Sequence, residues 1–182
     1  MPTVLVLIDI QNDYFPGGAI ELNGSDAAAQ NAALLLTAAR AHGTPVVHIQ
    51  HISTRPGATF FLPGTPGAEI NTAVTPLPSE EVIVKHFPNA FRETGLLEHL
   101  RGLGIDTLVL AGMMTHMCVD TTVRAAADLG FTCHLAGDAC ATRALEYCGT
   151  VVPAGQVQAA YLAGLNRLFA NVVPAAELAR ML

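Results

Sequence analysis

Five residues, Val4–Ile8, are apolar without a break, and Asp9 ends the run. Similar short runs, β-branched or apolar, recur at Val46–Gln50, Val82–Lys85, Thr107–Ala111 and Thr132–Ala136, with a last one at Asn171–Val173. Each has strand length, and unbroken apolar strands are those covered on both faces. Between them lie stretches that read as helices. The first runs from about Asp26 to Ala41, with Ser25 as its N-cap and Gly43 as its stop. Others fall near Thr94–Arg101, from about Cys118 to Gly130, and around Gly155–Phe169. This alternation predicts an α/β fold: a three-layer, doubly wound, Rossmann-like and mostly parallel six-stranded sheet with helices on both faces. No linker or repeat interrupts it, so residues 1–182 read as one domain. Ser53 to Ser79 is a long Pro- and Gly-rich loop carrying the apolar triplet Phe60, Phe61 and Leu62; loops of that length in compact domains are commonly functional.

Composition adds the surroundings. The chain is 51% hydrophobic and only 13% charged, about half the usual charged share. So little charge predicts a homo-oligomer, dimer or tetramer, with a buried apolar interface. The net charge is −6 and the cations are scattered, which excludes a nucleic-acid partner. No stretch approaches the roughly 20 apolar residues of a membrane span, and no basic region precedes Val4–Ile8, which reads as a strand and not a signal peptide. Four cysteines without a CxxC pair are expected to be reduced thiols in the cytoplasm.

In sheets of this kind ligands sit at the C-terminal ends of the strands. Three reactive side chains fall there. Asp9 follows strand one, Lys85 ends strand three, and Cys118 opens the helix after strand four. A cysteine in the first turn of a helix feels the partial positive charge of unpaired N–H groups, which favours thiolate. Lys85 is expected to add to this and outweigh the charge of Asp9, so that Cys118 alkylates faster than Cys133, Cys140 and Cys148, which read as core residues. Lys85 is the only lysine among nine cations, where a compact point charge suits contact with a carboxylate and a thiolate. Each residue also has a plainer reading: Asp9 as a cap, Lys85 as a stem along the sheet.

Three ordered stretches carry a resemblance: residues 6–18 (Val-Leu-Ile-Asp-Ile-Gln-Asn-Asp-Tyr-Phe-Pro-Gly-Gly), residues 82–91 (Val-Ile-Val-Lys-His-Phe-Pro-Asn-Ala-Phe) and residues 112–126, which begin Gly-Met-Met-Thr-His-Met-Cys-Val-Asp. Together they resemble the isochorismatase-like cysteine hydrolases, the family that includes nicotinamidases and N-carbamoylsarcosine amidohydrolase. The resemblance implies an Asp9–Lys85–Cys118 triad and a non-proline cis peptide before Met114. It also implies an oxyanion hole from the Met114 and Cys118 amides, and strand order 3-2-1-4-5-6. The implied activity is hydrolysis of a small amide, ureide or cyclic amide through a thioester, without a cofactor. Gln11, Tyr14, Phe91, Thr115 and His116 stand beside the motifs as candidates to line the substrate site. Nicotinamidases resemble one another in an Asp-x-His metal motif after strand two. Here the stretch is His48-Ile-Gln-His51, whose rings fall on opposite faces of a strand, so no metal is expected. Cys118 argues against the enol-ether chemistry of true isochorismatases. Two other classes stay open: a catalytically idle module of the same fold, and a thiol redox sensor with Cys140 as resolving cysteine.

Overall fold

The structure, a computed structural model, describes residues 2–182. Strand β1 (Thr3–Ile8) lies inside the sheet between β2 (Val46–His51) and β4 (Thr107–Met113). Outside these lie β3 (Glu81–Lys85) on one side and β5 (Thr132–Ala141) on the other. Two further strands, β6 (Leu145–Tyr147) and β7 (Thr150–Val152), form a separate antiparallel hairpin. Strand β8 (Asn171–Val173) completes the main sheet, whose order is β3-β2-β1-β4-β5-β8 with every pairing parallel. This is the order expected from the resemblance. Its sixth strand is β8 because the hairpin, which has no long apolar run to announce it, intervenes.

The unbroken apolar run of β1 is explained by burial on both faces, whereas β3, at the sheet edge, leaves Val82 and Val84 exposed. Alternate residues of β1 serve two separate cores. Leu5 and Leu7 pack with Leu35 and Leu36 of helix α1 (Ser25–His42), together with Phe61 and Leu178. Val4, Val6 and Ile8 pack on the other face with Leu96 and Leu100 of α2 (Leu96–Gly102) and Val123 of α3 (Asp120–Asp128). Helix α4 (Ala154–Leu165) joins that second core through Leu165, and α5 (Ala175–Leu178) joins the first. No helix among the described residues is long and apolar enough to cross a membrane.

The structure corrects several details. Ser25 is not the N-cap of α1: left-handed Gly24 holds that position, and the Ser25 hydroxyl donates to the Leu22 carbonyl. Gly43 does end the helix, with φ 71° and its N–H turned to the Ala39 and Arg40 carbonyls, a conformation that glycine adopts without a Cβ penalty. Strand β5 runs five residues past the expected Ala136, through an irregularity in its pairing with β4 between Leu110 and Gly112. Cys140 is therefore inside this strand, opposite Gly112, and not beyond it. The triplet in the long loop is not an open patch. Phe61 is fully buried and packs edge-on against Tyr14 at 4.7 Å, while Phe60 is half-buried and Leu62 exposed.

Candidate active site

Strand register assembles the site. His51, the last residue of β2, is the register partner of Lys85, the last residue of β3. Partners side by side in a sheet project to the same face. Asp9 follows β1 with a left-handed φ of 50°, and its N–H is tied to the Ile49 carbonyl at 3.0 Å. Aspartate tolerates that conformation better than most residues.

Cys118 arrives from β4 by a different route. Gly112, at φ 143°, leaves no room for a side chain: a Cβ there would lie 2.0 Å from the Ile8 carbonyl oxygen. Only glycine lets β4 lie this close to β1 just before the site. The peptide between Met113 and Met114 is cis. The chain then enters a π-type turn, Thr115–Val119, that continues into α3. Cys118 is thus the fourth residue of the helical run, not its first. The first i→i−5 bond runs from the Val119 N–H to the Met114 carbonyl at 3.3 Å. The Cys118 N–H precedes it, and among the described residues the Met114 N–H enters no backbone hydrogen bond outside the helices and strands.

Lys85 is fully buried and has three neighbours: Asp9 Oδ2 at 2.7 Å, His51 Nδ1 at 3.0 Å and Cys118 Sγ at 3.3 Å. Burial pushes the lysine toward the neutral amine, but its contacts with Asp9 first and Cys118 second more than offset it, and its pKa is raised. The group is an ammonium. Cys118 goes the other way from the sequence expectation. Burial first, and the Asp9 charge second, lift its thiol above the ordinary range despite Lys85. It rests as a thiol beside a carboxylate, not as a standing thiolate. The other cysteines also differ from one another. Cys133 and Cys140 are buried, and burial pushes each up to about 12. Cys148 is exposed on the hairpin, not in the core.

A cavity of about 400 Å³ opens onto Cys118. Tyr14, Phe60, Phe61, Phe87, Met114 and Met117 give it apolar walls, and His51, Ser53, Thr54, Arg55 and His86 give it polar ones. The long loop after β2 supplies Ser53, Thr54, Arg55, Phe60 and Phe61.

Of the residues singled out beside the motifs, the structure brings Tyr14 to the cavity, buried and with its hydroxyl pKa raised by burial and by Cys118 and Asp9. The other four do not line it. Gln11 is spent on backbone: it donates to the His51 and Ala68 carbonyls at 2.9 and 2.7 Å and accepts from the His51 N–H at 2.7 Å. Phe91 stacks on Phe131. Thr115 donates to the Ala141 carbonyl and lies 2.7 Å from Gln158, and His116 pairs with Thr142. The sequence marks His51 only as a metal-ligand candidate, yet it joins the cluster through Lys85. Its place at the C-terminal end of a strand, the rule that found Lys85, is the signal that marks it.

Asp9, His51 and Cys118 are the one trio of ligand-type side chains among the described residues whose donor atoms lie within 4.8 Å of one another. All three meet the Lys85 ammonium, so a tethered cation stands where a divalent ion would compete. His48 turns to the opposite face and pairs with Glu80 at 3.0 Å.

Fold and site together define a hydrolase built on a doubly wound parallel sheet. The chain belongs to the isochorismatase family: the Isochorismatase domain matches residues 3–177. It is 49% identical over 172 residues to YddQ, an uncharacterized isochorismatase family protein of Bacillus subtilis strain 168, covering 94% of this chain and 96% of that one. It is 33% identical over 141 residues to the maleamate amidohydrolase of Pseudomonas putida KT2440, covering 70% of this chain and 66% of that one. Among solved structures, an isochorismatase from Pseudomonas putida KT2440 superposes with a TM-score of 0.91 at 41% identity, over 97% of this chain and 89% of that one.

Proposed function

We propose that the protein is an amidohydrolase with Cys118 as nucleophile, Asp9 as general base and acid, and Lys85 as the cation that holds them together, acting on a small amide, ureide or cyclic amide. The observation that carries this reading is the single buried ammonium in contact with both the carboxylate and the sulfur. Asp9 accepts the Cys118 proton as sulfur bonds to the carbonyl carbon, and the carbonyl electrons move onto oxygen. The Met114 and Cys118 N–H groups stabilise that oxyanion. Collapse expels the amine, which takes the proton from Asp9 and leaves a thioester. Asp9 then deprotonates water, which attacks the thioester; the acid leaves and the sulfur recovers its proton. A protonated, buried Cys118 and a buried Cys140 that donates to the Ala136 carbonyl lack the low pKa and access of a redox sensor pair.

The test is a screen of small primary amides, ureides and cyclic amides, read as ammonia release or ring opening, with mass spectrometry of acid-quenched protein. Turnover is expected to leave an acyl group on the Cys118 peptide. An active substrate that labels no cysteine under rapid quench overturns the thioester.

The same reading includes self-association. Helix α4 carries no charge and buries only Val157 and Leu165, while Tyr147, Val151 and Leu168 beside it in sequence are 79%, 61% and 80% exposed. We propose that a second copy covers this face, a site better supported than the long loop, whose Phe61 is already buried. Light scattering is expected to report at least twice the 19.0 kDa of one chain; a monomer at micromolar concentration sinks the proposal. Four free thiols fit a reducing compartment, and we propose a cytoplasmic location.

A further inference from the structure

We infer that Gln158 of α4 is a positioning residue for the oxyanion site and that it acts through Thr115. This rests on Cys118 being the nucleophile and on the Met114 and Cys118 N–H groups receiving the oxyanion. Thr115 lies between those two amides in the chain, directly after Met114, and is fully buried. A hydroxyl has one proton to donate, and two acceptors face it: Gln158 Oε1 at 2.7 Å and the Ala141 carbonyl at 3.1 Å. The other end of the same amide, Gln158 Nε2, donates to the Gly137 and Cys140 carbonyls at 3.2 and 3.0 Å. A side-chain amide carries two N–H donors and one oxygen. Every polar group of Gln158 is therefore engaged.

The segments it joins are the ones that need joining. Leu135 is the register partner of Leu110 and Cys140 that of Gly112, so residues 136–139 of β5 bulge opposite Ala111 alone. A bulge disrupts the ladder where it occurs, and Gly137 and Cys140 there give their carbonyls to Gln158. The glutamine thus ties the irregular stretch of β5 to the turn that carries the oxyanion donors. His116, the next residue of that turn, is held from the same side by Thr142 and, edge-on at 6.0 Å, by the ring of Tyr161 in α4. Helix α4 fully buries only Val157 and Leu165, so apolar packing is a weak constraint on how it meets the turn. Backbone donors aimed at a developing oxyanion lose much of their effect when they shift by a fraction of an ångström. Neither Gln158 nor Thr115 lines the cavity. They hold the turn from behind, out of reach of substrate.

The test compares the rates of two reactions of Cys118 in the full-length protein, read by mass spectrometry of its peptide. Acetylation by p-nitrophenyl acetate passes through an oxyanion: sulfur bonds to the carbonyl carbon, its proton passes to Asp9, and p-nitrophenolate leaves. Iodoethane alkylates the same sulfur by displacement of iodide, and no oxyanion forms. A merely structural role slows both reactions; a role in the oxyanion site slows only the first. Gln158→Met, which keeps the length and removes the hydrogen bonds, is expected to slow acetylation about tenfold or more and to leave alkylation nearly unchanged. Thr115→Val is expected to do the same, and Thr115→Ser, which keeps the hydroxyl, to retain most of the acetylation rate. Combining Gln158→Met with Thr115→Val is expected to be no slower than either alone, since both break one link. Should Gln158→Met not fold, the two Thr115 variants give the same decision. Wild-type acetylation by folded Gln158→Met, equal losses in both reactions, additive losses in the double variant, or Thr115→Ser as slow as Thr115→Val each overturn the inference alone. Absence of acetyl-Cys118 in the wild-type protein overturns the nucleophile reading, and this inference with it.

Discussion

Replacing Lys85 by methionine removes turnover as completely as Cys118→Ala, by about 10⁴-fold or more, and also destabilises the fold. The lysine and Asp9 are both fully buried and 2.7 Å apart. Methionine fills most of the space but leaves a buried carboxylate without its cation, and breaking a buried pair in this way costs about 3–5 kcal/mol. Removing both charges is a different matter. In Asp9→Asn with Lys85→Met no uncompensated ion remains, so most of the lost stability returns while activity stays absent. Cys118→Ala removes a buried sulfur and no charge, and its unfolding free energy stays close to wild type. Chemical denaturation of the three variants beside an activity assay separates the two effects. A stable Lys85→Met, or a double variant as unstable as the single one, would show that the pair does not act as a unit.

That arrangement was legible in the sequence to an unequal degree. Asp9, Lys85 and Cys118 are separated by 76 and 33 positions, yet all lie at or just beyond C-terminal strand ends, and a parallel sheet brings such ends together whatever the loops between them do. The fold class was legible for the same reason: Val4–Ile8 leaves no polar face, so it demands helices on both sides, and its counterparts repeat its length and apolar character between helices. What the pattern does not contain is register. Nothing in the sequence says that His51 and not Gln50 pairs with Lys85, and a slip of one residue would have turned the imidazole to the opposite face.

Proximity in sequence misled where register was needed. Thr115 and His116 neighbour Cys118, but a helical turn sends adjacent side chains about 100° apart, and both turn to Gln158 and Thr142 instead. Gln11, two residues from Asp9, is spent on the backbone of His51 and Ala68. Electrostatics misled too. The helix end and Lys85 are expected to make a thiolate, but desolvation of the buried sulfur outweighs them. Burial of Phe61 by a loop was not legible because no periodicity marks it. Neither was the hairpin Leu145–Val152, whose strands have three residues each.

The same burial that keeps the thiols protonated sets a narrow pH range for the fold. Cys133 and Cys140 are held up to about 12 in the folded chain, against an ordinary value of 9.0. Below pH 9 folded and unfolded chains both keep these protons, and stability does not change on their account. Above it the unfolded chain releases them while the folded chain does not, so stability falls by about 1.4 kcal/mol per pH unit for each thiol, about 2.7 for the two. Cys118, Tyr14 and Lys85 are all raised and act in the same direction at higher pH. A net stability of about 5–15 kcal/mol is then exhausted within a few units above pH 9. On the acid side His48, His51, His116 and His134 are all lowered, each by burial first. The unfolded chain takes up protons as the pH falls through about 6.5 and the folded chain resists, so stability present above that value is lost below it. For His51 the loss continues to about 4. Urea unfolding across pH 5 to 11.5 is expected to give a plateau between about 6.5 and 9 with a steep limb on either side. In Cys140→Ala the alkaline limb is expected to be shallower by about 1.4 kcal/mol per unit, whatever the mutation does to the plateau. An unchanged alkaline slope in that variant would mean the buried thiols do not set the limb.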